Sequence, residues 1–167
     1  RAAVSSETSV SALPSAITVV GEGKVRIKPD MATVNVGVER VNATVKEATT
    51  QASQTMEAVM AALVAAGVDA KDMQTSGYGI WADREYGSEG RGEEPVRYRV
   101  NNNLQITIRA IDKVGAVIDA ATEAGANNIY GIQFSLAEPA AAEAEARSKA
   151  VTSARAKAAE LARLNDV

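Results

Sequence analysis

The densest concentration of chemistry-bearing side chains lies between Asp83 and Glu94, where five acids (Asp83, Glu85, Glu89, Glu93 and Glu94) fall within twelve residues. Carboxylates at that density could hold Ca²⁺ or Mg²⁺, yet the D-x-[DN]-x-[DN]-G spacing of a calcium loop is absent. Arg84, Arg91 and Arg97 lie in or beside the stretch and offset part of its charge, so a solvated hairpin tip is the better reading. Glu22 and Glu39 could sit on neighbouring strands as a carboxylate pair for glycoside chemistry, but each falls on the polar parity of its segment, which reads as surface charge. Gly21-Glu22-Gly23 lacks the third glycine of a dinucleotide loop and does not precede a helix, so it is no phosphate cradle. Asn42-Ala43-Thr44 is a formal glycosylation sequon, but Thr44 is already explained as a helix cap. The aromatic residues Tyr78, Trp81, Tyr86 and Tyr98 cluster around the acidic loop. Tyr78 and Tyr98 can face the core. Trp81 and Tyr86 lie towards the tip, and Tyr78, Trp81 and Tyr86 are the candidate interface residues.

What is missing narrows the chemistry further. The 167 residues include no cysteine and no histidine. Disulfides, thiolate and imidazole metal sites, Ser-His-Asp and Cys-His nucleophiles and the usual proton shuttle near neutral pH are therefore excluded. The expectation is a protein with no catalytic residues, no metal and no cofactor. Twenty-one acids against eighteen bases give a net charge of −3, without the basic excess that nucleic-acid binding needs. Alanine supplies 33 residues and aromatics only six, so much of the apolar content is small. The longest uncharged apolar-rich run, about Ala58–Val68, is too short for a transmembrane helix. Arg1–Pro14 reads as a flexible leader without the continuous apolar core of a signal peptide.

These candidates must be positioned by regular elements. Ile17, Val19, Val25 and Ile27 share one parity, interrupted by Gly21 and Gly23, which predicts a bent strand. Pro29-Asp30 supplies a turn, and Ala32, Val34, Val36 and Val38 alternate in a second strand, so the two are expected to form a hairpin. Thr44-x-x-Glu47 is a capping box opening a helix with Val45, Ala48, Ala52, Met56, Val59 and Leu63 inward, widened by Met60 and Val64 and closed by Gly67. Met73–Trp81 and Val96–Ile108 read as the arms of a tall antiparallel hairpin. Asp112 is expected to cap a short helix closed by Gly125. Tyr130, Ile132, Phe134 and Leu136 alternate in a further strand. Pro139 opens a helix of about 25 residues with a thin stripe of Val151, Ala154, Ala158 and Leu161. The predicted order is β-β-α-β-β-α-β-α, an α+β fold with a mostly antiparallel sheet and helices packed on it.

Several of these segments together resemble the SIMPL-domain family. Ile17-Thr-Val-Val-Gly-Glu-Gly23 and Lys28-Pro-Asp-Met-Ala32 are similar to its opening signature. The likeness continues in order through Ala61-Ala-Leu63, Gly67-Val68, Asp72-Met-Gln-Thr75, Tyr98-Arg-Val-Asn-Asn102, Lys113-Val-Gly115, Ala124-Gly-Ala-Asn127, Phe134-x-Leu136 and Glu145-Ala-Arg147-x2-Ala150. The family includes periplasmic or outer-membrane-associated immunogenic proteins of bacteria, proteins linked to oxidative-stress defence, and an animal branch that binds an innate-immune signalling kinase. The resemblance implies an exported α+β protein that self-associates, in some members into ring-like or channel-like assemblies. It supplies no catalytic residue to carry over. Members usually continue past the last helix with a glycine-led strand and a final strand, so this chain is expected to be short of those strands.

The combined expectation is a SIMPL-like domain over residues 15–167. It would be a non-enzymatic, exported periplasmic or cell-envelope protein that forms a homo-oligomer through its long hairpin and unpaired sheet edges, with a possible stress-protective role. The alternative is a monomeric interaction module presenting the hairpin tip and last helix to a protein partner. Nucleic acid is not an expected partner. Envelope association would be peripheral, without a transmembrane segment.

Overall fold

The computed structural model describes residues 16–83 and 96–165. The expected α+β architecture is present: β1 (Met31–Asn42), α1 (Val45–Ala65), β2 (Met73–Asp83), β3 (Arg97–Ile108), α2 (Val114–Glu123), β4 (Asn128–Ser135) and α3 (Ala140–Leu164). Four strands form one antiparallel sheet in the order β2-β3-β1-β4. The long hairpin is formed, with β2 and β3 paired from Met73↔Ile106 to Asp83↔Arg97.

The chain divides into two compact units. The larger, Lys28–Glu138, contains the sheet with α1 and α2. Its core follows from strand parity. Ala32, Val34, Val36 and Val38 of β1 alternate with shorter or polar residues, and β3 adds Val100, Leu104, Ile106 and Ile108 on the same face. Against them α1 buries Ala48, Ala52, Met56, Val59 and Leu63, a step of three or four residues that puts one face of a 3.6-residue helix inward. Thr44 Oγ1 accepts from the Glu47 backbone N–H at 3.2 Å, and Gly67 (φ +96°) ends the helix, as the capping signals require. Val45, expected at the start of the inward stripe, and Val64, expected to widen it, are exposed, whereas Met60 packs against the core. Helix α2 begins at Val114, and Asp112 does not cap it: Ile111–Lys113 form a 3₁₀ turn first, and neither the turn nor the helix has a side-chain cap.

The first predicted strand is the element that differs. Val19, Gly21, Gly23 and Val25 are half-buried between exposed neighbours, so the period of two holds, but residues 16–30 join no sheet among the described residues. Pro29-Asp30 is accordingly not a hairpin turn. Asp30 instead ties to the end of β4, its N–H donating to the Ser135 carbonyl at 3.1 Å and its Oδ1 accepting from the Ala137 N–H at 2.8 Å.

Within the smaller unit, the segment ending at Ile27 lies against α3. A Cβ on Gly21 would collide with the Ala150 carbonyl and lie 2.6 Å from the Ala154 nitrogen. One on Gly23 would collide with the Ala146 carbonyl. Two residues of extended chain advance about 6.6 Å and four residues of helix about 6 Å, so successive glycines meet successive alanines. Lys157 Nζ fastens the segment by donating to the Val20 carbonyl at 2.8 Å. The glycines that suggested a bend in a strand therefore permit close approach to a helix. The half-buried line of α3 is Ala142, Ala146, Ala150, Ala154, Ala158 and Ala162, while Val151 and Leu161 of the expected stripe are exposed.

Candidate interaction surface

β2 lies at one edge of the sheet, and its alternation sends successive side chains to opposite faces. Tyr78 and Ile80 stand opposite Asn102 and Val100 on the face that carries α1, but beyond the helix, where they are 53% and 43% exposed. Trp81 stands opposite Arg99 on the other face, also 53% exposed. Two of the three candidate interface residues therefore point in opposite directions and cannot contribute to one flat patch. Tyr86 and the acids from Glu85 to Glu94 lie outside the described residues. Tyr98 is half-buried opposite Ala82.

The face that carries Trp81 is built from small and amide residues. Across the four strands one row reads Gly77, Asn103, Gly37, Asn128, and the next reads Gly79, Asn101, Glu39. The Asn103 amide lies crosswise: its Oδ1 occupies the space a Cβ on Gly37 would need, and its Nδ2 is 3.4 Å from the corresponding point on Gly77. The indole of Trp81 folds back in the same way over Gly79, where a Cβ would sit 2.6 Å from the ring. Glu39 pairs with Arg99, so the two charges beside the amides offset each other. Asn127 extends the hydrogen-bonding pattern past the end of β4 by clamping Glu39: its Oδ1 accepts from the Glu39 N–H at 2.8 Å and its Nδ2 donates to the Glu39 carbonyl at 3.0 Å. Glu39 is thus an ion-pair partner on a surface, and Glu22 lies in the other unit, where it is 3.8 Å from Lys24.

Sequence reasoning passed over these amides, because Asn101-Asn-Asn103 reads simply as the polar side of a strand. The signal that could have drawn attention to them is the coincidence of asparagines on β3 with Gly37, Gly77 and Gly79, which becomes visible only once the register is known.

A second feature is a cavity of about 230 Å³ in the larger unit, lined by the turn after α1, the end of β3 and the start of α2. Ile108, Val68 and Val117 form its apolar floor. On its wall Asp72 receives a two-pronged hydrogen bond from Arg109, Nε to Oδ2 at 2.8 Å and Nη2 to Oδ1 at 2.7 Å. The Asp72 side chain is only 8% exposed. The Arg109 hydrogen bonds hold its carboxyl below the ordinary carboxylate value, outweighing the opposing effect of burial. Lys71 is raised by its hydrogen bond to Asp69. Among the described residues no three acids converge as metal ligands, and no helix is long and apolar enough to cross a membrane.

With this geometry in view, comparison with known proteins places the chain. Residues 17–167 match the family model described as SIMPL, a protein of unknown function (DUF541). The chain belongs to the SIMPL family. It is similar to the 26 kDa periplasmic immunogenic protein of Brucella melitensis and to that of Brucella abortus, each at 33% identity over 163 residues, covering 96% of this chain and 65% of the relative. It is also similar to the uncharacterized protein YggE of Edwardsiella ictaluri, at 30% identity over 145 residues, 85% of this chain and 59% of that protein. The chain thus spans roughly two thirds or less of the length of these SIMPL relatives, and their names carry no enzymatic activity.

Proposed function

We propose that this SIMPL protein is an exported, non-enzymatic cell-envelope protein that self-associates through the β2 edge of its long hairpin. Export rests on the relatives that are called periplasmic. Self-association rests on one observation: β2 is an edge strand of 11 residues, paired on one side only among the described residues, with Tyr78 and Ile80 half-exposed beside it. A strand of that length and apolar content offers both a ladder of backbone donors and acceptors and side-chain area to cover. The bulge between Thr75 and Gly77 limits regular pairing to its outer part. Tyr86 is assigned to the same contact on sequence grounds. A role in stress protection is the family-level extension of this reading, and peroxide survival of a deletion strain tests it.

Sedimentation velocity at micromolar concentration is the direct test. An oligomer that dissociates on Tyr78→Lys with Ile80→Lys, while the far-ultraviolet circular dichroism is kept, is the expected result. A monodisperse monomer would sink the proposal and favour a monomeric module that offers the same edge to another protein.

A further inference from the structure

Self-association through the β2 edge, on which this inference rests, requires a surface to receive that strand, and the opposite edge of the sheet supplies one. β4 ends the order β2-β3-β1-β4 and, like β2, is paired on one side only among the described residues. Edge strands are usually guarded by charged side chains, by proline or by a covering element. Neither edge is guarded in its sequence: β4 (Asn128–Ser135) has no charged residue and no proline, and β2 has only Asp83, at its outer end. Tyr130, Ile132 and Phe134 of β4 are each about half exposed, as are Tyr78, Ile80 and Trp81 of β2. An edge touches both faces of a sheet, so side chains that share no flat patch can still share an edge contact.

The two edges correspond face for face. Phe134 stands opposite Ala32, so Phe134 and Ile132 lie on the face that carries α1, the face of Tyr78 and Ile80. Tyr130 stands opposite Asn35 on the other face, the face of Trp81. The parity changes between Tyr130 and Ile132 because the register with β1 shifts there, at Gly131 (φ +66°). Direction fits as well. All three pairings are antiparallel, so β4 runs opposite to β2, and one copy's β2 beside another's β4 continues the antiparallel sheet with α1 on the same side.

One register then matches every exposed side chain. With Tyr78 opposite Phe134, Ile80 falls opposite Ile132. Once Gly131 is passed over as the bulged residue, Trp81 falls opposite Tyr130. This ladder runs from Gly77 beside Ser135 to Asp83 beside Asn128, using the whole of β4 and all of β2 beyond its own bulge. Aromatic and β-branched pairs of this kind are the cross-strand contacts that stabilise sheets. Pairing β2 with β2 does worse: with Tyr78 opposite Ile80, Trp81 is set opposite Gly77 and β4 stays uncovered. The four half-exposed aromatics offer on the order of 400 Å², and the isoleucines and strand backbones carry the contact towards the roughly 1,000 Å² of a specific interface. Tyr78 lies in the row of Val38 and Phe134 in that of Ala32, so joined copies are offset by six residues, about 20 Å. We infer that the β4 edge receives the β2 edge of a second copy, joining subunits head to tail in one continuous antiparallel sheet.

Two variants of the full chain test this by sedimentation velocity at micromolar concentration. Tyr78→Lys with Ile80→Lys blocks the inserting edge, and Ile132→Lys with Phe134→Lys blocks the receiving one. All four side chains are exposed, so far-ultraviolet circular dichroism is expected to stay unchanged. Each variant alone is expected to sediment as a monomer. Mixed in equal amounts, they are expected to form a dimer and nothing larger, because each keeps the edge that the other lacks. The chain has no cysteine, which permits an independent reading by cross-linking. Tyr78→Cys combined with Phe134→Cys is expected to give a ladder of disulfide-linked chains on mild oxidation. Tyr78→Cys with Gln133→Cys, on opposite faces, is expected to give none.

An Ile132 and Phe134 variant that associates like the unmodified chain overturns the role of β4 and leaves association through β2 standing. A mixture that stays monomeric overturns it too. So does a Tyr78 and Phe134 cysteine pair that yields no ladder, or one no stronger than that of the Gln133 control. Should the lysines unfold β4, the cysteine ladder decides alone. An unmodified chain that is itself monomeric removes self-association, and this inference with it.

Discussion

The two faces of the sheet obey different rules although they come from the same four strands. One face carries aliphatic side chains buried under α1, where Val34, Val36, Val38 and Ile106 are fully enclosed. The other carries asparagine, glycine and an ion pair, with two amide atoms left without partners. The first is organised by removal of apolar area from water, which rewards volume and close fit. The second sets aside stability in the places where amides lie over glycine and two buried oxygens go unpaired.

The contrast is easiest to break on the helix-covered face. Leu63→Ala leaves a cavity in the core beneath α1 and is expected to cost about 2–5 kcal/mol, read by chemical denaturation with an unchanged m-value. On the opposite face, Gly37→Ala sets a Cβ against the Asn103 amide and 3.1 Å from the Asn128 Cβ. It is expected to cost about 1–3 kcal/mol through overpacking. A neutral result would mean that the Asn103 amide moves aside freely, and the flat arrangement would lose its significance.

The smallest effect lies at the rim of the cavity. Because the Asp72 carboxyl is lowered by Arg109 in the folded state, its contribution to stability is complete above an unfolded value of about 4 and is lost as pH falls through the lower folded one. Asp72→Asn should therefore flatten the acid limb of the stability profile below about pH 4 and leave its shape near neutrality unchanged. An acid limb identical to that of the unmodified chain would remove Asp72 from the account.

Much of the larger unit was legible because its signals are local. The capping box at Thr44, the three-and-four spacing from Ala48 to Leu63 and the glycines at 67 and 125 each specify an element within one or two turns. The segment from Ile17 to Ile27 reads as a strand for a related reason, although it joins no sheet among the described residues: alternation reports that one side of an extended chain is covered, and a helix covers it as well as a neighbouring strand does. Gly21 and Gly23 carried the distinguishing information, since glycine at every second position suits a backbone lying on alanines. The candidate interface residues show the same limit. Tyr78 and Trp81 are three apart in sequence, which in a strand places them on opposite faces, and only the edge position of β2 leaves both exposed.

The sequence by itself determined the class of protein: alternating strands and capped helices, no side chains for cysteine or histidine chemistry, and ordered segments similar to one family. These depend on residue types and on short-range spacing, which the chain carries wherever it folds. Only the tertiary structure decided which residues meet across the sheet. Register brought Gly37 and Gly77 to either side of Asn103, and Gly79 beside Asn101 under the Trp81 ring. Register is set by burying the aliphatic face under α1, so the amide face is arranged by packing on the side it does not share.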